Sequence, residues 1–191
     1  MFINKPPIDS SSSRHPLHQE IHYFPIRPVE KIVCSWMPLE ATNRENGCLV
    51  VVPGSHKMEH LEHDYPDWEG GVNKFYYGIK DAKLAEKRIH VEMEPGDALF
   101  FSPLVIHGSG MNRSSGFRKA FSCHFASAHC DFISVNGTIQ EKLANEILGT
   151  YVNKLNNETV DEKLKATKID YPTMWRLRSR LVRGSGPFKR A

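Results

Sequence analysis

Residues 88–126 read RIHVEMEPGDALFFSPLVIHGSGMNRSSGFRKAFSCHFA and consist of short apolar or alternating segments separated by proline and glycine. Residues 88–94 alternate apolar and polar side chains, which predicts a half-buried β-strand. Pro95-Gly96-Asp97 is a turn signal. Residues 98–107 predict a pair of strands broken by Pro103, and residues 117–126 predict another strand. Short strands in succession with such turns are typical of a β-barrel or jelly roll.

The segments on either side extend this pattern. Apolar runs predict further strands at residues 1–5, 17–24, 31–36 and 48–52. Residues 57–87 lack a clean period and predict a long irregular insertion with one helix near its end, a length often found in functional loops. Helical periodicity begins at residue 138, and residues 171–182 predict a second helix. We therefore predict one mainly β domain over residues 1–191, jelly-roll or cupin-like, with flanking C-terminal helices.

Composition excludes several classes of protein. The chain has 191 residues, 40% of them hydrophobic, and a formal net charge of +3. No apolar run approaches the roughly 20 residues of a membrane span, and the charge is too small to indicate nucleic-acid binding. An anionic small molecule would suit this charge if it were focused in one cleft. The cysteines form no C-x-x-C pair, which favours reduced thiols at Cys34, Cys48, Cys123 and Cys130.

The stretch HPLHQEIH at residues 15–22 is a candidate half of a metal site. On a strand, His18 and Glu20 would point to the same face. His107 is the best candidate for a third ligand, because it ends a predicted strand and precedes Gly108, where the backbone can approach a ligand closely. Two imidazoles and one carboxylate are the facial ligand set of non-haem Fe(II) oxygenases, which leaves positions open for a cosubstrate and dioxygen.

Each of these residues also has an ordinary structural interpretation. A single histidine such as His18 is more often a surface or core residue than a ligand, and H-x-E triplets are common by chance. We interpret six other histidines as structural or solvent-facing: His22, His56, His60, His63, His90 and His129.

An anion site is predicted beside the metal ligands. Arg118 follows His107 by eleven residues, on what should be the next antiparallel strand. Alternation would place one set of side chains on the same face: Arg118, Ala120, Ser122 and His124. A guanidinium there could hold a carboxylate by two hydrogen bonds, and Ser109 could add a hydroxyl, although a lone arginine is more often a surface charge.

An anion site beside the metal argues against a non-redox cupin such as an isomerase or zinc hydrolase. Glu20 argues against a halogenase, which replaces the carboxylate ligand with a small residue.

Longer stretches carry a more specific resemblance. They are INKPP at 3–7, SRHPLHQ at 13–19, NGCLVVVPGSHK at 46–57, DYPDWEGGVNK at 64–74, HGSGMNRSSGFRKAFSCHFASAHC at 107–130 and RLRSRLVRG at 176–184. Through them the sequence resembles the phytanoyl-CoA dioxygenase family. The resemblance implies a double-stranded β-helix, Fe(II), 2-oxoglutarate as cosubstrate, ascorbate as reductant and dioxygen. It implies 2-hydroxylation of a branched fatty acyl-CoA in peroxisomal α-oxidation.

The resemblance also implies roles for individual residues. His18, Glu20 and His107 match the iron ligands, and Arg118 with Ser109 matches the group that binds the far carboxylate of 2-oxoglutarate. Other positions match residues near the cosubstrate: Gln19, Trp36 and Met1. No catalytic residue beyond the metal site is implied. Lys74, Arg113 and Lys119 are available for the phosphates of CoA, although most such charges are simply solvated.

Two departures from the family pattern affect these expectations. The family's carboxylate ligand is usually aspartate, and Glu20 is longer by one C–C bond, about 1.5 Å. We expect weakened but not abolished iron binding, which Glu20→Asp should improve.

The family is also longer at its N-terminus, so we expect the first barrel strand or strands and a cosubstrate lysine to lie in a segment that this chain lacks. The alternative is therefore an inactive, truncated family member, and with no targeting signal visible a cytoplasmic location competes with the peroxisome.

Overall fold

Two four-stranded antiparallel sheets form the centre of the molecule. The computed structural model describes residues 1–7, 13–157 and 169–185. The strands are β1 Phe2–Lys5, β2 His15–His18, β3 Ile26–Arg27, β4 Ile32–Pro38, β5 Leu49–Val51, β6 His63–Asp64, β7 Gly78–Ile79, β8 Ile89–Val91, β9 Leu99–Phe101, β10 His107–Ser109, β11 Arg118–Ala126 and β12 Asp131–Phe132. The helices are α1 Ala82–Glu86, α2 Glu141–Asn157 and α3 Tyr171–Arg178.

The two sheets face each other across a shared core. One has the strand order β1-β11-β4-β9 and the other β2-β10-β5-β8. Trp36 and Ala120 from the first sheet pack with Leu49 from the second and with Met93. All strand pairs are antiparallel, which gives each central strand one buried and one outer face. This arrangement confirms the predicted mainly β fold.

Strand β11 shows how the sequence pattern sets the interior. Arg118, Ala120 and Ser122 are buried, whereas Lys119 and Phe121 between them are exposed. The strand pairs with β1 on one side and β4 on the other. The alternation therefore turns Arg118 toward the space between the sheets, as the sequence predicts.

The segment at residues 17–24 differs from its prediction. Strand β2 ends at His18, and a 3₁₀ turn follows at Glu20–His22. Gln19 is still extended (φ −111°, ψ 130°), so the turn begins directly after it. Glu20 thus does not lie on a strand, and its position relative to His18 is set by the turn.

Gly108 lies where strands β2 and β10 approach each other most closely. A Cβ atom at this position would lie 2.8 Å from the carbonyl oxygen of Pro16 and 2.9 Å from that of His15. The register of the two strands also shifts between His107 and Ser109. The glycine therefore admits the backbone of the neighbouring strand.

We expect Gly108→Ala to destabilise the fold by about 1–3 kcal/mol, because two backbone carbonyls cannot yield as a flexible side chain would. Denaturant unfolding should show a lower midpoint with an unchanged slope. Gly110→Ala is the matched control, since a Cβ there meets nothing within 4 Å. Equal stability of the two variants would contradict this account.

The helices pack outside the sheets. A cluster of Val135, Ala144, Ile169, Tyr171 and Met174 joins α2 to α3. Helix α3 begins after Asp170, whose carboxylate accepts the Thr173 N–H, and ends at Arg178, earlier than predicted. The insertion at 57–87 contains β6, β7 and α1. Among the described helices, none has both the length and the apolar character needed to cross a membrane.

Candidate metal centre and anion site

Two imidazoles meet where β2 and β10 pair. His107 lies directly opposite His18, and their ring centroids are 4.2 Å apart. The Nδ1 atom of His18 lies 2.9 Å from the carbonyl oxygen of Pro16, and that of His107 lies 2.9 Å from the carbonyl oxygen of Val105. In a metal-bound state each Nδ1–H would donate to its carbonyl and leave the Nε2 lone pair for the ion, whereas in the metal-free molecule Nε2 faces the Glu20 carboxylate.

The carboxylate of Glu20 completes the group. Its Oε1 atom lies 3.5 Å from Nε2 of His18 and 3.5 Å from Nε2 of His107. One ligand atom from each of the three residues lies within 4.8 Å of the others. Burial alone would raise the pKa of Glu20, but hydrogen bonding to His107, His124 and His18 outweighs it and holds the pKa well below its usual range. An ionised carboxylate oxygen and two imidazole nitrogens are a ligand set that suits Fe(II).

Two further histidines border the group, neither of which the sequence analysis assigned to the metal site. His15 stacks on His18 with centroids 4.2 Å apart and on Tyr76 with centroids 4.1 Å apart. His124 places its Nε2 atom 3.7 Å from Oε2 of Glu20. The alternation of β11 already put His124 on the same face as Arg118, and that signal could have identified it.

A second histidine cluster lies behind the metal ligands. His22, His60 and His63 bring one ligand atom each within 4.8 Å. Both nitrogens of His63 are occupied, because Nε2 accepts the Gln19 N–H at 2.9 Å and Nδ1 lies 2.7 Å from the carbonyl oxygen of Leu61. His22 Nδ1 lies 3.1 Å from His60 Nε2, although His22 Nε2 has no partner. We interpret the cluster as a hydrogen-bonded support for the chain around Gln19.

Gln19 connects this support to His18 and Glu20, the candidate metal ligands that precede and follow it in the sequence. Its side-chain amide donates to the carbonyl oxygens of Glu59 and Leu104 and accepts the Leu61 N–H. The side chain is thus engaged with the loop at residues 59–61. Its backbone N–H is held by His63, so the loop fixes the chain between His18 and Glu20.

We expect His63→Ala to weaken metal binding by about tenfold, at the low end of what outer hydrogen-bonding partners of metal ligands contribute. The loss follows because Gln19 N–H would lose its acceptor and the adjacent ligands would lose a fixed backbone. A Co(II) titration measures the affinity, and His56→Ala is the control because His56 is exposed and lies outside both histidine groups. An unchanged Co(II) affinity in folded His63→Ala would refute the positioning role.

Arg118 is a buried cation with free donors. The residue is 2% exposed to solvent, and its Nη2 atom donates to the carbonyl oxygen of Gly47 at 2.9 Å. Among the residues that the structure describes, none is a hydrogen-bond partner of Nε or Nη1. Within residues 1–7, 13–157 and 169–185, no carboxylate is ion-paired with it. Burial lowers the pKa of Arg118 to about 10, so the guanidinium remains charged at neutral pH. A buried charge with two orphaned donors calls for an anionic ligand.

A cavity of about 170 Å³ adjoins Arg118. His15, Trp36 and Tyr76 line it together with Lys5. The Arg118 guanidinium carbon lies 5.2 Å from the centre of the Trp36 ring. His15 lines the cavity and stacks on His18, so one side chain separates the cavity from the metal ligands. Arg118 is charged at neutral pH and Lys5, with a pKa of about 7, is protonated in part. Together with the polar and aromatic walls these groups fit a small dicarboxylate.

Lys5 is the cavity residue that sequence reasoning missed. It pairs with Arg118 across the β1–β11 ladder. Its Nζ atom donates to Ser109 Oγ at 2.8 Å, to the Gly110 carbonyl oxygen at 2.6 Å and to the Ser13 carbonyl oxygen. Burial, and then the charge of Arg118, lower the pKa of Lys5 to about 7. Met1, by contrast, is 73% exposed and is absent from the residues that line the cavity.

Comparison with known proteins gives a family match. The family model described as phytanoyl-CoA dioxygenase (PhyH) matches residues 1–120. The chain is 52% identical over 186 residues to a probable phytanoyl-CoA dioxygenase of Caenorhabditis elegans, covering 96% of this chain and 59% of that protein. It is 50% identical over 185 residues to the peroxisomal phytanoyl-CoA dioxygenase of Homo sapiens, covering 96% and 52%. The chain spans about half the length of the curated relatives it matches.

Solved structures share the fold. The epimerase SnoN in complex with Fe3+, alpha ketoglutarate and nogalamycin RO has a TM-score of 0.56 at 20% identity, covering 71% of this chain and 51% of that chain. EvdO2 from Micromonospora carbonacea var. aurantiaca complexed with 2-oxoglutarate has a TM-score of 0.51 at 22% identity, covering 70% and 56%. These likenesses confirm the predicted jelly-roll, cupin-like fold.

Proposed function

Because the chain belongs to the phytanoyl-CoA dioxygenase family, we propose that it carries the metal and cosubstrate sites of an Fe(II)- and 2-oxoglutarate-dependent dioxygenase. The substrate that we propose is phytanoyl-CoA or a similar branched acyl-CoA, hydroxylated at C2. The observation that carries this proposal is Arg118, a buried and unpaired guanidinium in a cavity beside a two-histidine, one-carboxylate group.

The proposed mechanism assigns each side chain a task. His18, Glu20 and His107 would hold the iron. When bound, the iron supplies the redox chemistry that couples decarboxylation of 2-oxoglutarate to succinate with hydroxylation of the substrate. The free Nε and Nη1 of Arg118 donate to the far carboxylate. Lys5 adds positive charge and orients the Ser109 hydroxyl, and the buried Trp36 ring helps to exclude water.

The test of this function is substrate-dependent succinate release. Purified protein receives Fe(II), ascorbate, 2-oxoglutarate and phytanoyl-CoA, and succinate and the 2-hydroxy product are quantified. We expect both in equal amounts, with little succinate when the acyl-CoA is omitted. A folded, iron-loaded protein that releases neither product would instead support the inactive family member.

A second cavity supports binding of the CoA portion. A groove of about 860 Å³ includes His15 and Ser109 in its lining. Its cations are Arg14, Arg44, Lys80, Arg88 and Arg113, against the carboxylates of Asp67 and Asp81. The Arg14 guanidinium carbon lies 3.6 Å from the centre of the Trp68 ring. We propose that this groove receives the phosphate-bearing end of CoA.

Two lysines that the sequence made available for the CoA phosphates lie elsewhere. Lys74 donates to Thr150 and does not line the groove, and Lys119 also lies outside it.

We expect Arg88→Ala to raise the KM for the acyl-CoA about tenfold, which corresponds to about 1.4 kcal/mol of lost binding free energy. The kcat should change little, because the phosphates bind equally in the ground state and the transition state. Steady-state kinetics measure both constants, and Arg183→Ala, which is exposed and outside the groove, is the control. A fall in kcat with an unchanged KM would count against the groove.

The remaining proposals rest on similarity to the relatives named above. We propose that the protein acts in peroxisomes, in fatty acid α-oxidation, as its mouse and human relatives are named peroxisomal. We also propose that residues 1–191 form one domain and that ascorbate keeps the iron reduced.

A further inference from the structure

His124 is an imidazole at the metal centre that the proposed mechanism leaves without a task. It lies on β11, opposite Cys34 of β4, and its side chain is 25% exposed. Its ring contacts Phe24 in an edge-to-face arrangement with centroids 4.9 Å apart. The alternation of β11 gives it the same face as Arg118, Ala120 and Ser122. Its Nε2 atom lies 3.7 Å from Oε2 of Glu20, so the ring is directed toward that carboxylate.

The two oxygens of Glu20 have different neighbours. Oε1 lies 3.5 Å from Nε2 of both His18 and His107, whereas Oε2 lies 3.7 Å from Nε2 of His124. Oε1 is thus the oxygen that faces the two other candidate ligands, and Oε2 is turned toward β11. A carboxylate that bound through both oxygens would occupy an additional coordination position. The direction of Oε2 toward His124 leaves one oxygen for the metal.

Glutamate needs such a partner more than aspartate would. It has one more rotatable bond, so its carboxylate loses more conformational freedom when it is held for a metal ion. Glu20 also starts from a 3₁₀ turn, where no strand fixes its direction. An outer hydrogen-bonding partner that orients a ligating carboxylate is a general feature of metal sites.

We propose that His124 is a positioning residue that holds the second oxygen of Glu20 and so adapts the metal centre to glutamate. This inference rests on the proposed function. It predicts that the contribution of His124 depends on the length of the side chain at position 20, because the shorter aspartate cannot reach it while remaining with His18 and His107.

A double-mutant cycle in Co(II) binding tests this dependence without turnover. The four proteins are the parent, His124→Ala, Glu20→Asp and the double variant. We expect His124→Ala to weaken Co(II) binding about tenfold when residue 20 is glutamate, and less than about twofold in the Glu20→Asp background. His124→Gln should retain most of the affinity, because its amide N–H can still donate to Oε2. His129→Ala, an exposed histidine beyond β11, is the control.

The outcomes separate this inference from the proposed function. Equal losses in both backgrounds, or no loss in either, would overturn the positioning role. A shift of the Co(II) d–d absorption bands at saturation in His124→Ala would also overturn it, because His124 would then be a ligand itself. A parent protein that binds no Co(II) would instead contradict the metal centre on which the proposed function depends.

Discussion

Replacing His107 with alanine is expected to abolish succinate release and to weaken metal binding by more than about 100-fold. Losing an outer partner of a ligand costs 10- to 100-fold in affinity, so losing a ligand costs more. The remaining His18 and Glu20 would leave the ion with two protein ligands. Titration with Fe(II) or Co(II) measures the affinity, and the substrate-dependent succinate assay measures the turnover.

The control for this experiment is His56→Ala, because His56 is exposed and lies outside both histidine groups. Thermal unfolding of the metal-free proteins should show that His107→Ala still folds, since the residue's ring contacts are with Phe101 and His18 at the edge of the core. Metal affinity within a few-fold of the parent in a folded His107→Ala protein would remove His107 from the site.

Arg118→Met is expected to weaken 2-oxoglutarate binding by about 100-fold or more while leaving the metal-free fold as stable as the parent or more stable. Truncating one partner of a buried charge pair costs about 2–5 kcal/mol, and each 1.4 kcal/mol is tenfold in affinity. The stability effect has the opposite sign, because the unliganded protein holds an unpaired guanidinium away from water. Calorimetric titration of the metal-loaded protein and denaturant unfolding of the unliganded protein measure the two effects.

Arg118→Lys separates charge from shape. A lysine retains the positive charge but lacks the planar fork that donates two parallel hydrogen bonds, so we expect an intermediate affinity. A large loss of stability in Arg118→Met would show that the guanidinium serves the fold through its bond to Gly47, and the cosubstrate assignment would then lose its main support.

The sequence predicted those parts of the molecule that depend on local pattern. The alternation in β11 was sufficient to predict that Arg118 turns inward, and the short segments between proline and glycine were sufficient to predict a β fold. Local pattern did not predict that β2 stops at His18, because the 3₁₀ turn at Glu20 is held by contacts from a distant loop. The insertion was predicted as irregular, yet it supplies His63, which bonds the backbone of Gln19.

Lys5 was missed for a related reason. Its function depends on its pairing with Arg118, from which it is separated by more than one hundred residues in the sequence. A lysine in a short N-terminal strand carries no sequence signal of burial, since most lysines are solvated. Only the register of β1 on β11 brings the two cations together, and no periodicity of either strand encodes that register.

The pairing of these two cations has a consequence for the protein in the cell. On the proposed function, a bound dicarboxylate is the counter-ion of Arg118 and favours the protonated form of Lys5. Its binding therefore stabilises the folded state by an amount that grows with the logarithm of its concentration. The cosubstrate would then act as a stoichiometric component of the fold as well as a reactant. Depletion of the free metabolite would shorten the lifetime of the protein in addition to slowing its turnover, and would link enzyme abundance to the supply of 2-oxoglutarate.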